Sequence, residues 1–195
     1  MSGQTCGQLG VPALFVETRG VYARLGCDVY GIERDARTFP GGAASITHPP
    51  CRLWSSLRHL SKAHPSEKEL AFFALDVVRR WGGVLEHPLR SSFWREAGVR
   101  DLHSGRRDKF GGWLLPIFQQ WFGHRAQKAT FLYLVGVEPS ALPPIPLVLG
   151  DATHTVGLWS GRDRSRCRPT ISNGEYARTP EPLARWLIQV VGSVR

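Results

Sequence analysis

Short apolar runs alternate with helical stretches along this chain, and the alternation restricts the fold more than any other feature of the sequence. The apolar runs are residues 13–17, 29–33, 43–47, 84–86 and 130–137. Residues 66–81 carry apolar side chains at the helical period, with Ser66 and Glu69 spaced as a capping box, and residues 182–191 are amphipathic. Strands interleaved with helices predict an α/β fold with a largely parallel sheet.

Length and composition predict one domain in a reducing compartment. The chain has 195 residues, of which 42% are hydrophobic, enough for one core. We expect residues 1–11 to be a flexible N-terminus, and residues 90–112 and 160–174 to be mobile basic loops. The four cysteines are scattered without a CxxC pair, no apolar run is long enough for a membrane span, and the N-terminus does not resemble a signal peptide. These features predict reduced thiols and a cytoplasmic location.

The charge balance indicates a polyanionic partner. Lys and Arg number 25 against 16 Asp and Glu, for a formal net charge of +9. Arginine predominates, and its planar guanidinium suits phosphate contacts. We therefore expect the chain to bind DNA or another nucleic acid, although a solvated basic surface would have the same composition. The phosphate-contacting candidates are Arg106, Arg107, Arg162, Arg164 and Arg166.

Three segments carry residues suited to chemistry. In His48-Pro49-Pro50-Cys51, two prolines fix the backbone after a strand and would present the sulfur in a definite direction. Arg52 and a nearby histidine would favour the reactive thiolate. Glu86 lies at the next strand end, 35 residues after Cys51, and residues 123–128 (GHRAQK) precede the strand at 130. Ligands of parallel sheets bind beyond the carboxyl ends of the strands.

The order and spacing of these segments resemble those of the cytosine-C5 DNA methyltransferases. The stretch GHRAQKATFLYLVG is similar to that family's Gln- and Arg-bearing motif before a strand, and residues 179–187 are similar to its last motif. Residues 14–20, followed by Glu33, resemble its cofactor-binding start. The HPPC and LEHP motifs are also similar to those of phage and prophage proteins.

The resemblance implies a Rossmann-like, class I methyltransferase-like sheet in a minimal single domain, with S-adenosylmethionine as a possible cofactor. It implies that Cys51 attacks C6 of a cytosine while Glu86 bonds N3 and the exocyclic amine, on a base that is flipped out or single-stranded. Arg125 or Gln127 would support the catalytic loop or the base. The implied cofactor residues are Phe15, Glu17, Gly20 and Glu33. The implied base-pocket residues are His48, Pro50, His87 and His124.

The sequence also departs from the family, and the departures leave alternatives open. The glycine-rich cofactor turn retains only Gly20, 18 residues separate Glu33 from Cys51, and residues 137–172 are too short for a target-recognition region. Glu33 fits ribose binding and a structural role equally. The alternative is a catalytically inactive protein, of phage accessory type, that binds nucleic acid or a host protein. A further alternative is a nucleotide-processing enzyme using the histidines. No metal is expected, because no short metal-ligand spacing occurs.

Overall fold

The computed structural model describes residues 10–56, 58–156 and 168–194. Its strands are β1 (Pro12–Leu14), β2 (Asp28–Tyr30), β3 (Ser45–Thr47), β4 (Gly83–Pro88), β5 (Trp113–Phe118) and β6 (Ala129–Val135). Its α-helices are α1 (Val21–Arg24), α2 (Glu67–Trp81), α3 (Phe93–Glu96), α4 (Asn173–Ala177) and α5 (Glu181–Gly192). Short 3₁₀ turns lie at Ala36–Thr38, Arg52–Trp54, Arg58–Leu60, Arg100–Ser104, Gln119–Phe122 and Pro139–Ala141.

The six strands form one sheet in the order β2-β1-β3-β4-β6-β5. Strands β1 to β4 pair in parallel, whereas β6 pairs antiparallel with both β4 and β5. Five strands therefore point the same way, and only β6 runs in the opposite direction. The fold is α/β with a mostly parallel sheet, as the sequence predicts, and is compatible with a Rossmann-like arrangement. Because β6 is reversed, its start lies at the same edge as the carboxyl ends of the parallel strands.

Helices cover both faces of the sheet, and successive strand residues alternate between the two cores. In β4, Val84 packs in the cluster that contains α5, while Leu85 packs in the cluster that contains α2. The α5 cluster also holds Ala13, Tyr22, Ile46, Leu132, Leu183, Trp186, Leu187 and Val190. The α2 cluster also holds Trp54, Ala71, Ala74, Leu75, Val78, Phe93, Trp94 and Tyr133. Glu86 follows Leu85 and so shares the face of Val84.

Several local expectations differ from the structure. The Ser66–Glu69 capping box does not form, because Ser66 has helical backbone angles and its hydroxyl bonds the His64 ring at 2.8 Å. Residues 90–112, expected to be a mobile loop, contain α3 and bury Phe93 and Trp94. Of the expected mobile segments, residues 1–9 and 160–167 lie outside the described residues, whereas the end of the second segment already belongs to α4. In the described ranges, no helix is both long and apolar enough to cross a bilayer.

Candidate functional site

The carboxyl ends of β3 and β4 bring His48, Cys51 and Glu86 together. Thr47 pairs with Leu85 in the sheet, so His48 and Glu86 follow at the same level. The His48 Nδ1 lies 3.0 Å from Glu86 Oε2. Cys51 begins the 3₁₀ turn Arg52–Trp54, and the Glu86 charge is close enough to raise the pKa of its thiol. Two of the three predicted segments therefore meet at one sheet edge.

Glu86 is almost enclosed and heavily hydrogen-bonded. Its exposed fraction is 8%, and its Oε1 accepts hydrogen bonds from Gln119 Nε2 at 3.1 Å and Thr130 Oγ1 at 3.0 Å. Burial opposes ionisation, but the hydrogen bond from His48 and the positive charge of Lys128 outweigh burial and lower the pKa of Glu86 to about 2. The carboxyl is therefore a buried anion at neutral pH.

A hydrogen-bond chain extends from Glu86 through His48 to Tyr22. The Tyr22 hydroxyl lies 2.7 Å from His48 Nε2. An ionised carboxylate only accepts hydrogen bonds, so the His48 Nδ1 donates to Glu86 while Nε2 faces the Tyr22 hydroxyl. Burial, followed by the Glu86 charge, raises the pKa of Tyr22, which keeps the phenol protonated as a donor. The chain fixes the orientation of the His48 ring.

Cys51 is partly buried and lies near Tyr176 of α4 and Lys128. Burial and then the Glu86 charge raise the pKa of the Cys51 thiol, and the opposing effects of Lys128 and the Tyr176 hydroxyl are smaller. The Lys128 Nζ donates to the Tyr176 carbonyl at 2.8 Å and lies 4.9 Å from the centre of its ring. Burial, Cys51 and Glu86 together raise the pKa of Tyr176. The phenol thus occupies the space beside both the sulfur and the carboxylate.

The expectation that Arg52 and a nearby histidine favour the thiolate is wrong for this conformation. Arg52 Nε donates to Glu67 Oε1 at 2.6 Å, so its charge is directed toward α2. His48 is committed to Glu86 and Tyr22. The thiol is mainly protonated at neutral pH and needs a conformational change or a base to react.

The third predicted segment reaches the site through different residues from those expected. Arg125 is exposed and pairs with Glu175, with Nε 2.8 Å from Oε1. Gln127 is exposed and lines a surface cavity of about 260 Å³ whose lining includes neither Cys51 nor Glu86. Lys128 and Thr130 are buried at the site instead. Alternate residues of an extended segment face opposite sides, so Lys128 points inward where Gln127 points outward.

The remaining predicted pocket histidines lie elsewhere. His124 is buried, and its Nδ1 bonds the backbone of Ala126. His87 is fully buried on the face of β4 opposite to Glu86. The centre of its ring lies 5.1 Å from that of Phe93 and 5.9 Å from that of Trp94. Neither His87 ring nitrogen has a hydrogen bond of normal geometry, although the Pro50 backbone is close enough to raise the pKa of the imidazole against the effect of burial. Among the described residues, no group of three or more His, Cys, Asp or Glu side chains is placed to hold a metal.

The four residues expected at a cofactor lie after β1 and β2, at the same edge as Cys51. Gly20 begins α1, and a Cβ there would lie 2.9 Å from the Glu17 Cβ, so a side chain would collide. Phe15 has a positive φ of 60° and packs edge-on against Phe73. Glu17 and Glu33 are exposed. Strand β1 has β2 on one side and β3 on the other, which is the strand arrangement at whose end ligands bind in open parallel sheets.

Of the basic residues expected to bind phosphates, the two that the structure describes, Arg106 and Arg107, lie away from this edge. Arg107 pairs with Glu138 at 2.7 Å and bonds the Gly111 carbonyl, next to the start of β5 and the end of β6. That position is the opposite edge of the sheet from Cys51. Arg106 is exposed beside it. Arg162, Arg164 and Arg166 lie outside the described residues.

Sequence reasoning missed Tyr22, Gln119, Lys128, Thr130 and Tyr176. Gln119 follows β5, and Lys128 and Thr130 mark the start of β6. Had β6 been predicted as antiparallel, these three residues would have been expected at the site, because the start of β6 and the end of β5 lie at the same sheet edge as Glu86.

A scan against protein-family models and a search of the curated proteins find no match to this chain.

Replacing Tyr176 by alanine is expected to increase the rate of Cys51 alkylation about ten-fold, because a bulky ring beside the sulfur is removed and the thiol becomes more accessible. Tyr176→Phe keeps the ring and is the matched control. It loses the hydroxyl that lowers the thiol pKa, so its rate should not rise. Alkylation is followed by peptide-resolved mass spectrometry, with Cys27 as the internal reference. Equal Cys51 rates in the alanine variant and the wild type would show that Tyr176 does not cover the thiol.

Acidification is expected to destabilise the protein through His87. Burial lowers the pKa of this imidazole from 6.5 to about 4. The unfolded chain therefore binds more protons below pH 6.5, and stability is lost as the pH falls toward 4. Between pH 7.5 and 5 we expect a loss of about 2 kcal/mol in the free energy of unfolding, measured by urea denaturation.

The variant His87→Phe should lose most of this pH dependence, because phenylalanine has no proton to bind. His59→Phe, at an exposed position, is the control and should keep the wild-type slope. A wild-type slope in His87→Phe would contradict the assignment.

Proposed function

We propose that the chain is a DNA cytosine-C5 methyltransferase-like protein in which Cys51 adds to C6 of a pyrimidine base in nucleic acid. The observation that carries the proposal is the juxtaposition of Cys51 with the ionised Glu86 at the ends of neighbouring parallel strands. A nucleophile and a group that holds the polar edge of the ring are the minimum that this addition requires. Cytosine is the base that the resemblance implies.

The strand order supports a Rossmann-like, class I methyltransferase-like sheet as part of this proposal. The order β2-β1-β3-β4 places its switch point between β1 and β3. A ligand bound there would lie between the Gly20 turn and Cys51. The second cavity, of about 430 Å³, lies along the first turns of α2, and none of the residues expected at the cofactor lines it. The residues that would hold S-adenosylmethionine are Phe15, Glu17, Gly20 and Glu33, and the cofactor would supply a methyl group.

In the proposed reaction, each described residue has a separate task. Cys51 supplies the sulfur that bonds to C6. Glu86, fixed by His48, Gln119 and Thr130, accepts a hydrogen bond from the ring edge. Lys128 offsets negative charge that develops on the ring. Tyr176 must withdraw from the sulfur before a base can approach, so movement of α4 precedes the chemistry.

The test is exchange of the C5 hydrogen of a pyrimidine in heavy water. Addition at C6 makes C5 basic, so C5 takes up deuterium before the sulfur leaves, and no cofactor is needed. Single-stranded oligonucleotides with one cytosine or one uracil are incubated with the wild-type chain, and deuterium is measured by mass spectrometry. Exchange that depends on Cys51 is expected. Its absence from both oligonucleotides would remove the proposal.

A second candidate is a non-catalytic protein that binds nucleic acid or a host protein, in the manner of a phage accessory protein. The observation that favours it is a thiol whose pKa is raised and that has the bulky Tyr176 side chain beside it. Calorimetry with S-adenosylmethionine distinguishes the methyltransferase-like proposal from this second candidate. Binding supports the methyltransferase version, whereas oligonucleotide binding without S-adenosylmethionine binding or C5 exchange supports the second candidate.

A further inference from the structure

The turn at residues 108–112, which leads into β5, is fixed from inside by Asp108. Its Oδ1 accepts hydrogen bonds from the backbone N–H groups of Phe110 and Gly112, both at 2.9 Å. Its Oδ2 accepts one from the Tyr133 hydroxyl at 2.7 Å. A Cβ on Gly112 would collide with that hydroxyl, so the position requires glycine. The turn is therefore held in one conformation before any partner binds, which lowers the entropy cost of binding.

The fixed turn presents Phe110 to solvent with two cations beside its ring. Phe110 is 40% exposed. The centre of its ring lies 4.6 Å from the Arg79 guanidinium carbon and 5.1 Å from the Lys109 Nζ. Arg79 Nη2 also lies 3.2 Å from Asp108 Oδ2, so this arginine joins the turn to the last turn of α2.

The last turn of α2 carries a second exposed ring with a cation beside it. Trp81 is 37% exposed, and the Arg80 guanidinium carbon lies 5.0 Å from the centre of one of its rings. Helix α2 ends where β4 begins, and the starts of β4 and β5 lie at the same edge of the sheet, opposite Cys51. The two ring–cation pairs therefore lie at one edge of the sheet, outside the candidate site.

The charge that remains at this edge is positive. Two of its carboxylates are used in ion pairs, Asp108 with Arg79 and Glu138 with Arg107. A third, Asp76, is exposed one turn before the end of α2. The cations that face solvent here are Arg80, Arg106 and Lys109. They outnumber the exposed carboxylate, so the edge favours an anionic partner.

Exposed rings and cations on a fixed support suit a single strand of nucleic acid. Unpaired bases stack on aromatic rings whatever their identity, and cations neutralise the phosphates. A duplex uses only the cations, because its bases already stack on one another. The side chains of an acidic peptide also pair with cations, but they gain nothing from the face of an aromatic ring, which is negative.

We propose that the turn at residues 108–112, together with the last turn of α2, binds single-stranded nucleic acid with a base stacked on Phe110. Lys109 and Arg106 contact the phosphates that flank this base. Arg107, which bonds the backbone of the turn and a carboxylate, supports the turn instead. Binding at this surface does not depend on the chemistry proposed at the opposite edge of the sheet.

The test uses a labelled oligodeoxyadenylate, which contains no pyrimidine and so does not take part in the proposed addition. Its dissociation constant is measured by fluorescence anisotropy. Phe110→Ala is expected to weaken binding about ten-fold, because a stacked base loses its ring. Phe110→Tyr keeps a ring and should retain the wild-type affinity. Leu149→Ala, at an apolar side chain that is 88% exposed elsewhere, is the control and should also bind as the wild type does.

The salt dependence tests the phosphate contacts. Arg106→Gln and Lys109→Gln are each expected to reduce the slope of the logarithm of the binding constant against that of the salt concentration by about 0.7. Lys62→Gln, at an exposed lysine between β3 and α2, is the control and should keep the wild-type slope. A slope that changes in Lys62→Gln but in neither of the other variants would overturn the assignment of the surface.

Two further polymers distinguish the partner. With a duplex of the same length, Phe110→Ala should bind as the wild type does, and an equal loss for single strand and duplex would overturn stacking. Polyglutamate bound as tightly as the oligonucleotide would overturn the choice of nucleic acid. An oligodeoxyadenylate that does not bind, or binds Phe110→Ala as well as the wild type, would overturn the proposal. None of these outcomes bears on C5 exchange by Cys51, which is measured separately.

Discussion

Replacing Cys51 by serine is expected to reduce C5 exchange by about three orders of magnitude or more, with no change of fold. A hydroxyl is far less acidic than a thiol and far less nucleophilic at neutral pH. The side chain is of similar size and partly buried, so the surrounding turn should persist. The rate is measured by deuterium incorporation, and the fold by circular dichroism and thermal unfolding.

Cys27→Ser is the matched control, because Cys27 is the other partly exposed thiol among the described residues and lies outside the site. Its exchange rate should equal that of the wild type. Since burial raises the pKa of Cys51, the wild-type rate should still rise with pH between 6 and 8, as the thiolate fraction increases. A Cys51→Ser variant that retains substantial exchange would show that another group is the nucleophile.

The strands that the sequence predicted best are those with uninterrupted apolar runs. Residues 84–86 and 130–137 correspond to β4 and β6, and both are almost wholly buried. Strand β5 was missed because Pro116 interrupts its apolar residues. Proline lacks the N–H that an interior strand needs, but β5 is an edge strand and Pro116 is exposed there. The strand is therefore compatible with the proline, although the local pattern does not indicate one.

The direction of β6 determines which of its residues lie at the candidate site. Apolar periodicity predicts that a strand exists but not which way it runs. The alternation of helices and strands favoured a parallel neighbour, which would have placed Lys128 and Thr130 at the far edge. Because β6 is antiparallel, they lie beside Glu86. Tyr22 and Tyr176 are separated from Cys51 by long stretches of chain, so no local spacing points to them.

The energetic role of Glu86 leads to the second large effect. Glu86→Ala is expected to lower the free energy of unfolding by about 3–5 kcal/mol, because it removes one member of a buried charged network. Gln119 and Thr130 lose an acceptor, His48 loses the partner of Nδ1, and the buried Lys128 keeps its charge without a neighbouring anion. Urea denaturation at pH 7 measures the loss.

Glu138→Ala is the control for a carboxylate in a surface ion pair. Glu138 pairs with Arg107 but is 69% exposed, so its removal should cost less than about 1 kcal/mol.

The pH dependence of the free energy of unfolding gives a second check on the role of Glu86. The pKa of Glu86 is about 2 in the folded state and 4.5 without the network, so its contribution is complete above pH 4.5 and is lost as the pH falls toward 2. The stability difference between the wild type and Glu86→Ala should therefore narrow in that range. A loss no larger than that of Glu138→Ala would mean that Glu86 does not hold the site together.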